Sequence, residues 1–179
     1  MSTRRVPLLG LALLALLAAL PLATQAADAP AVDTSNGVNG ITQAAVAKGV
    51  LNCAARINQV TQFLSAGLPF GAMLFALPGQ PDQRVNSVSL EMTQKDGTPA
   101  YGSASFAPNQ ANGCGAVYEA VAYWPQACDV VAAKQFAGMS KVRQLQKSIT
   151  MLAAKSGATV FLMPAGPAGC VSIKKELVL

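Results

Sequence analysis

The hydrophobic positions between residues 46 and 64 follow the period of an α-helix. Steps of three and four residues separate Val46, Val50, Cys53, Ile57, Val60 and Leu64. Such steps place all six side chains on one helical stripe, so the pattern predicts one long amphipathic helix near the N-terminus. Asn39 or Gly40 is suited to begin this helix, and Gly67 followed by Pro69 is suited to end it.

After this helix the pattern becomes that of β-strands. Residues 70–77 are apolar at both parities, which predicts a strand buried on both faces. Residues 88–93 and 100–106 alternate between apolar and polar on either side of a turn at 95–97, which predicts a β-hairpin. Three more strands are predicted at 116–124, 159–163 and 171–178.

The segment from Met139 to Leu152 fits two structures, a helix and a hairpin, and extended structure is preferred only at its end. A short helix is also allowed at 129–136. Together these elements predict a single α+β domain over residues 40–179. Its antiparallel sheet has about five to six strands, and the long N-terminal helix packs on that sheet. No internal repeat is apparent.

Residues 1–26 have the pattern of a secretory signal peptide. Arg4 and Arg5 precede an apolar run at 6–20, and small residues lead to Ala26. The alternative is a membrane anchor, but a helix of this length spans about 22 Å of a hydrocarbon layer of about 30 Å. We therefore expect cleavage near Ala26, a flexible lead-in over residues 27–39, and no integral membrane segment afterwards. The leader favours the periplasm of a Gram-negative bacterium, or the medium outside it.

Composition removes several classes of function. The chain has no histidine, which excludes Ser-His-Asp and Cys-His nucleophiles and imidazole metal sites. Its 13 basic and 8 acidic residues give a net charge of +5. Removal of Arg4 and Arg5 lowers this charge to +3 (11 basic against 8 acidic residues). Such a mild charge gives no reason to expect a nucleic-acid partner, and neither a cofactor nor a metal is implied.

Four cysteines, at separations of 61, 14 and 42 residues, predict two disulfides and contain no Cys-x-x-Cys motif. If residues 116–124 form a straight strand of about 30 Å, Cys114 and Cys128 cannot bond with each other, because disulfide-bonded Cα atoms lie about 6 Å apart. We expect Cys53 to bond with Cys128. Cys114 is then expected to bond with Cys170, because both lie in glycine-flanked loops.

Two groups of residues are candidates for a functional site. Tyr118 and Trp124 enclose an alanine floor on the predicted strand 116–124, and this surface suits an apolar ligand. The alternative is that the long helix packs there. Glu91 and Glu119 are the second group, because a glycan hydrolase without histidine would need two carboxylates.

These observations favour a non-enzymatic, exported, disulfide-stabilised module that binds a protein or an envelope component. One alternative is a hydrolase of cell-envelope material that uses Glu91 or Glu119. Another is an envelope assembly or secretion accessory protein, which differs from the first function only in its partner.

Overall fold

The computed structural model describes residues 37–94 and 96–179, and in this part of the chain it shows one antiparallel sheet with three α-helices. The helices are α1 (Gly40–Ala47), α2 (Ala54–Ser65) and α3 (Cys128–Gln135). The strands are β1 (Phe70–Phe75), β2 (Asn86–Thr93), β3 (Pro99–Asn109), β4 (Gly113–Trp124), β5 (Ser140–Gln144), β6 (Thr150–Ala153), β7 (Thr159–Ala165) and β8 (Gly169–Val178). The predicted signal peptide and most of the predicted lead-in lie outside the described residues.

The prediction of one long N-terminal helix is wrong, because the helical stripe is shared between α1 and α2. Asn39 caps α1, and its side-chain oxygen accepts a hydrogen bond from the amide of Thr42. After α1 the chain turns at Gly49, whose φ of 85° is one that other residues rarely adopt. Val50 and Cys53 are still buried, since the turn packs on the same core. The spacing thus predicted burial at these two positions but not an unbroken helix. No helix among residues 37–94 and 96–179 has the length and apolar character needed to cross a bilayer.

The prediction of five to six strands is also wrong, because the sheet has eight. Their order is β1-β2-β3-β4-β8-β7-β6-β5, with every neighbouring pair antiparallel. The segment from Met139 to Leu152 contributes the hairpin of β5 and β6, not a helix. All five residues of β5 are exposed at the sheet edge, so this strand has no buried face to mark it in the sequence. The other edge strand, β1, alternates in exposure and is not buried on both faces as predicted.

All three helices lie on one face of the sheet. Directly paired residues of adjacent strands point to the same side, and the register places Val88, Phe106, Leu152 and Leu162 on a common face. The first two of these side chains belong to a core cluster under α1 and α2, and the last two to a smaller cluster under α3. The opposite face, which we call the open face, has no helix packed on it in the described residues.

The two halves of the sheet have the same topology. Each half is a helix followed by four antiparallel strands, α2 with β1–β4 and α3 with β5–β8. The last strands, β4 and β8, pair at the centre. Pro108 lies opposite Cys114 in the first half, and Pro164 lies opposite Cys170 in the second, 56 residues later in each case. The fold is therefore an internal pair related by pseudo-twofold symmetry, a repeat that was not apparent in the sequence.

Both disulfides follow this symmetry. Cys53 bonds with Cys114, and Cys128 bonds with Cys170. Each bond joins the start of a helix to the start of the last strand in the same half. The predicted pairing of Cys53 with Cys128 and of Cys114 with Cys170 is wrong, because each helix lies over its own strands and reaches no cysteine of the other half. As expected, Cys114 and Cys128 do not bond with each other.

Candidate binding surface

One row of directly paired residues crosses all eight strands on the open face. In sheet order the row contains Gly71, Glu91, Tyr101, Val121, Ile173, Phe161, Met151 and Arg143. The five residues from Tyr101 to Met151 are apolar or aromatic. We call these five the apolar strip. Because neighbouring strands lie about 4.8 Å apart, the strip is about 19 Å long.

The apolar strip is accessible. Tyr101 is 49% exposed, and its four companions are half-buried by their neighbours on the sheet alone. Tyr123, Val171 and Met163 form a second, shorter apolar row two residues further along β4, β8 and β7. The largest contiguous apolar patch on the surface of a protein is often functional. This surface is therefore the strongest candidate for a binding site in the described chain.

A polar row borders the apolar strip on its other side and contains the centre of the pseudo-twofold symmetry. Glu119 and Lys175 face each other across the β4–β8 pair and occupy equivalent positions in the two halves. The ammonium of Lys175 donates a hydrogen bond of 2.7 Å to the carboxylate of Glu119. Both side chains are more than a third exposed, so solvent screening limits the pair to about 1 kcal/mol or less. The pair therefore adds charge to the open face but contributes little to the stability of the fold.

The structure does not bring Glu91 and Glu119 together. Both lie on the open face, but β3 separates their strands and they are offset by two residues, so about 12 Å separates their Cα atoms. Carboxyl groups that form catalytic pairs in glycosidases lie roughly 5 to 9.5 Å apart, and glutamate side chains on these Cα atoms reach that separation only if they turn towards each other. Lys175 holds the carboxylate of Glu119 from β8, on the side away from Glu91. In this structure Glu119 is therefore paired with Lys175 and not with Glu91.

Tyr118 and Trp124 lie on the face that the helices cover. Tyr118 is 2% exposed, its ring centre lies 5.5 Å from that of Phe63 in α2, and its hydroxyl donates to Glu176. Burial raises the pKa of Tyr118 above its ordinary value, and the hydrogen bond and charge of Glu176 act in the same direction. The indole of Trp124 donates to the hydroxyl of Ser172 at 2.7 Å and packs on the smaller core cluster. These contacts match the alternative in which a helix packs on this strand.

A groove of about 400 Å³ lies beside α3. Its floor is formed by Leu152 and Leu162, Ala133 of α3 forms part of one wall, and Lys141 of β5 also lines it. In the first half, α1 packs against β1 and α2. The second half has no helix equivalent to α1, so the groove marks where the two halves differ.

Sequence reasoning missed the apolar strip. Alternation in residues 159–163 and 171–178 shows that each strand has two unlike faces, but both faces of these strands carry apolar side chains. Only the position of the helices decides which parity is covered. The spacing Pro-x4-Gly-Cys occurs at 108–114 and again at 164–170, and this repetition could have indicated that the chain has two similar halves.

Comparison with protein-family models, with curated proteins and with solved structures found no match for this chain. In residues 37–94 and 96–179, no group of three or more His, Cys, Asp or Glu side chains is placed to hold a metal ion.

Proposed function

We propose that this chain is an exported interaction module that binds a protein partner through the open face of its sheet. The observation that carries the proposal is the apolar strip from Tyr101 to Met151. The two disulfides support the compartment, because such bonds persist in oxidising surroundings outside the cytoplasm. The leader-like residues 1–26 support it independently.

The construction of the sheet suits binding. Three helices and two disulfides hold the covered face, so the open face is a rigid surface that needs little ordering when a partner arrives. Aromatic residues and methionine, which are enriched in protein interfaces, occur in the strip as Tyr101, Phe161 and Met151. Burial of these side chains against a partner would stabilise the complex by roughly 25 cal/mol for each Å² of apolar surface removed from water.

Affinity capture from the native envelope tests this function. The baits are the oxidised wild-type chain, a control variant and the variant Ile173→Asp, which places a charge in the centre of the strip. Ala55→Asp is the matched control, because Ala55 is exposed in the first turn of α2, on the other side of the sheet from the open face. We expect the wild type and Ala55→Asp to capture the same protein, and Ile173→Asp to lose it while its circular dichroism and disulfides stay intact. Equal capture by all three baits would refute the proposal. Intact mass tests export, since the secreted product should lack about 26 residues and contain no free thiol.

A further inference from the structure

Building on the proposed function, we propose that the protein bound by the open face is a second copy of this chain, stacked face to face. The argument rests on the order of residues in the row that crosses the sheet. Glu91 and Arg143 flank the apolar strip in this row and are its two charged side chains. Both are exposed, and no ion pair involves either of them among the described residues.

The row is complementary to itself. Ile173 lies on β8, three strands from Glu91 on one side and three strands from Arg143 on the other. A twofold axis that runs along the strands at Ile173 therefore stacks Glu91 of each copy on Arg143 of the other. The same axis stacks Tyr101 on Met151, a favourable sulfur–aromatic pair, and the small Val121 on the large Phe161. Ile173 meets its own copy.

The size of the surface matches a dimer interface. The row from Glu91 to Arg143 spans six strand spacings, about 29 Å, and the strands that it crosses, from four residues in β6 to twelve in β4, add roughly 13 to 40 Å in the other direction. The face therefore presents on the order of 600 Å² in projection, and side-chain relief adds to this area. A typical stable interface buries about 800 Å² per partner. Aligned packing of two sheets about 10 Å apart is also a common arrangement.

Sedimentation velocity on the oxidised chain, between about 1 and 200 μM, tests the proposal. We expect a reversible dimer for the wild type. Ile173→Asp places two carboxylates against each other at the axis and removes the central apolar contact, so dimerisation should weaken by roughly 100-fold or more. Ala55→Asp, on α2 at the opposite side of the sheet, should dimerise like the wild type.

Charge exchange at the two residues that flank the apolar strip is the sharper test. Glu91→Arg should weaken the dimer by roughly tenfold, because it places arginine against Arg143 at both ends. Arg143→Glu should weaken it similarly. The double variant Glu91→Arg/Arg143→Glu restores both pairs and should return to within roughly threefold of the wild type. A double variant as weak as either single one would overturn the stacking proposed here.

The outcomes separate this inference from the proposed function. A wild type that stays monomeric at 200 μM, while Ile173→Asp still abolishes capture of a different protein, would overturn the second copy as partner and leave the proposed function standing. A dimer that Ile173→Asp does not weaken would overturn the inference. The proposed function is refuted separately, by the affinity capture described above, if Ile173→Asp captures the partner as well as the wild type does.

Discussion

The two disulfides allow a matched test of how far each half depends on its own core. The double variant Cys53→Ala/Cys114→Ala releases a loop of 61 residues, and Cys128→Ala/Cys170→Ala releases one of 42. The chain-entropy relation gives losses of about 4.3 and about 3.9 kcal/mol at 25 °C. Because these penalties are almost equal, any large difference between the variants must arise from the folded cores.

Those cores are unequal. The first half buries Ile57, Leu90 and Phe106 under two helices, whereas the second buries Val131, Val160 and Leu162 under α3 alone. Domains of this size are typically stable by 5 to 15 kcal/mol, so a loss of about 4 kcal/mol leaves a well-packed half folded. We expect the first variant to keep its fold with lower stability. The second variant should lose the packing of β5–β7 on α3 while β1–β4 stay folded.

Urea unfolding followed by two signals distinguishes these results. Trp124 is the single tryptophan of the chain and packs on the smaller cluster, so its fluorescence reports on the second half. Far-ultraviolet circular dichroism reports on the whole sheet. In Cys128→Ala/Cys170→Ala the fluorescence change should come at clearly lower urea than the dichroism change. Coincident transitions with the same midpoint in both variants would refute the reasoning and show one cooperative unit.

Three further predictions concern single side chains. Because the pKa of Tyr118 is raised in the folded state, its hydroxyl keeps a proton that the unfolded state releases above about pH 10, and the stability of the fold falls as the pH rises beyond that value. The urea midpoint of Tyr118→Phe should therefore fall less between pH 9 and 11 than that of the wild type. Equal falls in the two proteins would contradict this reasoning. A Cβ atom at Gly169 would lie 2.6 Å from the carbonyl oxygen of Ala165, so Gly169→Ala should cost about 1 to 3 kcal/mol in urea unfolding, whereas Gly138→Ala, with nothing within 4 Å, should cost far less. Ala133→Leu should fill part of the groove beside α3 and stabilise the protein by about 0.5 to 1 kcal/mol in thermal unfolding. Helix propensity cannot cause this gain, because leucine is a slightly weaker helix former than alanine. An equal gain from Gln135→Leu, at an exposed position of α3, would contradict filling of the groove as the cause.

Burial could be predicted from the sequence at several helix positions, although Val46 of the same stripe is exposed, and continuity of the elements could not be predicted. Val50, Cys53 and Ile57 are buried at the predicted spacing, although a turn at Gly49 interrupts the helix. The spacing of hydrophobic residues indicates which side chains face the core, but it does not reveal a turn that leaves those side chains buried. The edge strand β5 could not be predicted for a different reason: none of its residues is buried, so its sequence carries no alternation of apolar and polar residues.

Assembly could be predicted less well, since it depends on contacts between distant residues. The cysteine count predicted two disulfides correctly, but their pairing required knowledge that each helix covers its own four strands. The candidates Tyr118 and Trp124 were chosen from one strand, and the strand alone cannot say which of its faces α2 and α3 cover. The apolar strip draws one residue from each of five strands and exists only once the register is set.

The central pairing of β4 with β8 has a consequence for biogenesis. As the chain is released from its N-terminal end, β1–β4, both helices above them and the cystine between residues 53 and 114 can all assemble early. The edge of β4 then stays unpaired until β8, the last of these eight strands, is delivered. Unpaired edges of this kind recruit other strands. The interval before β8 arrives is thus the stage at which misassembly with other chains is most favoured, and a folding factor that shields β4 would act there.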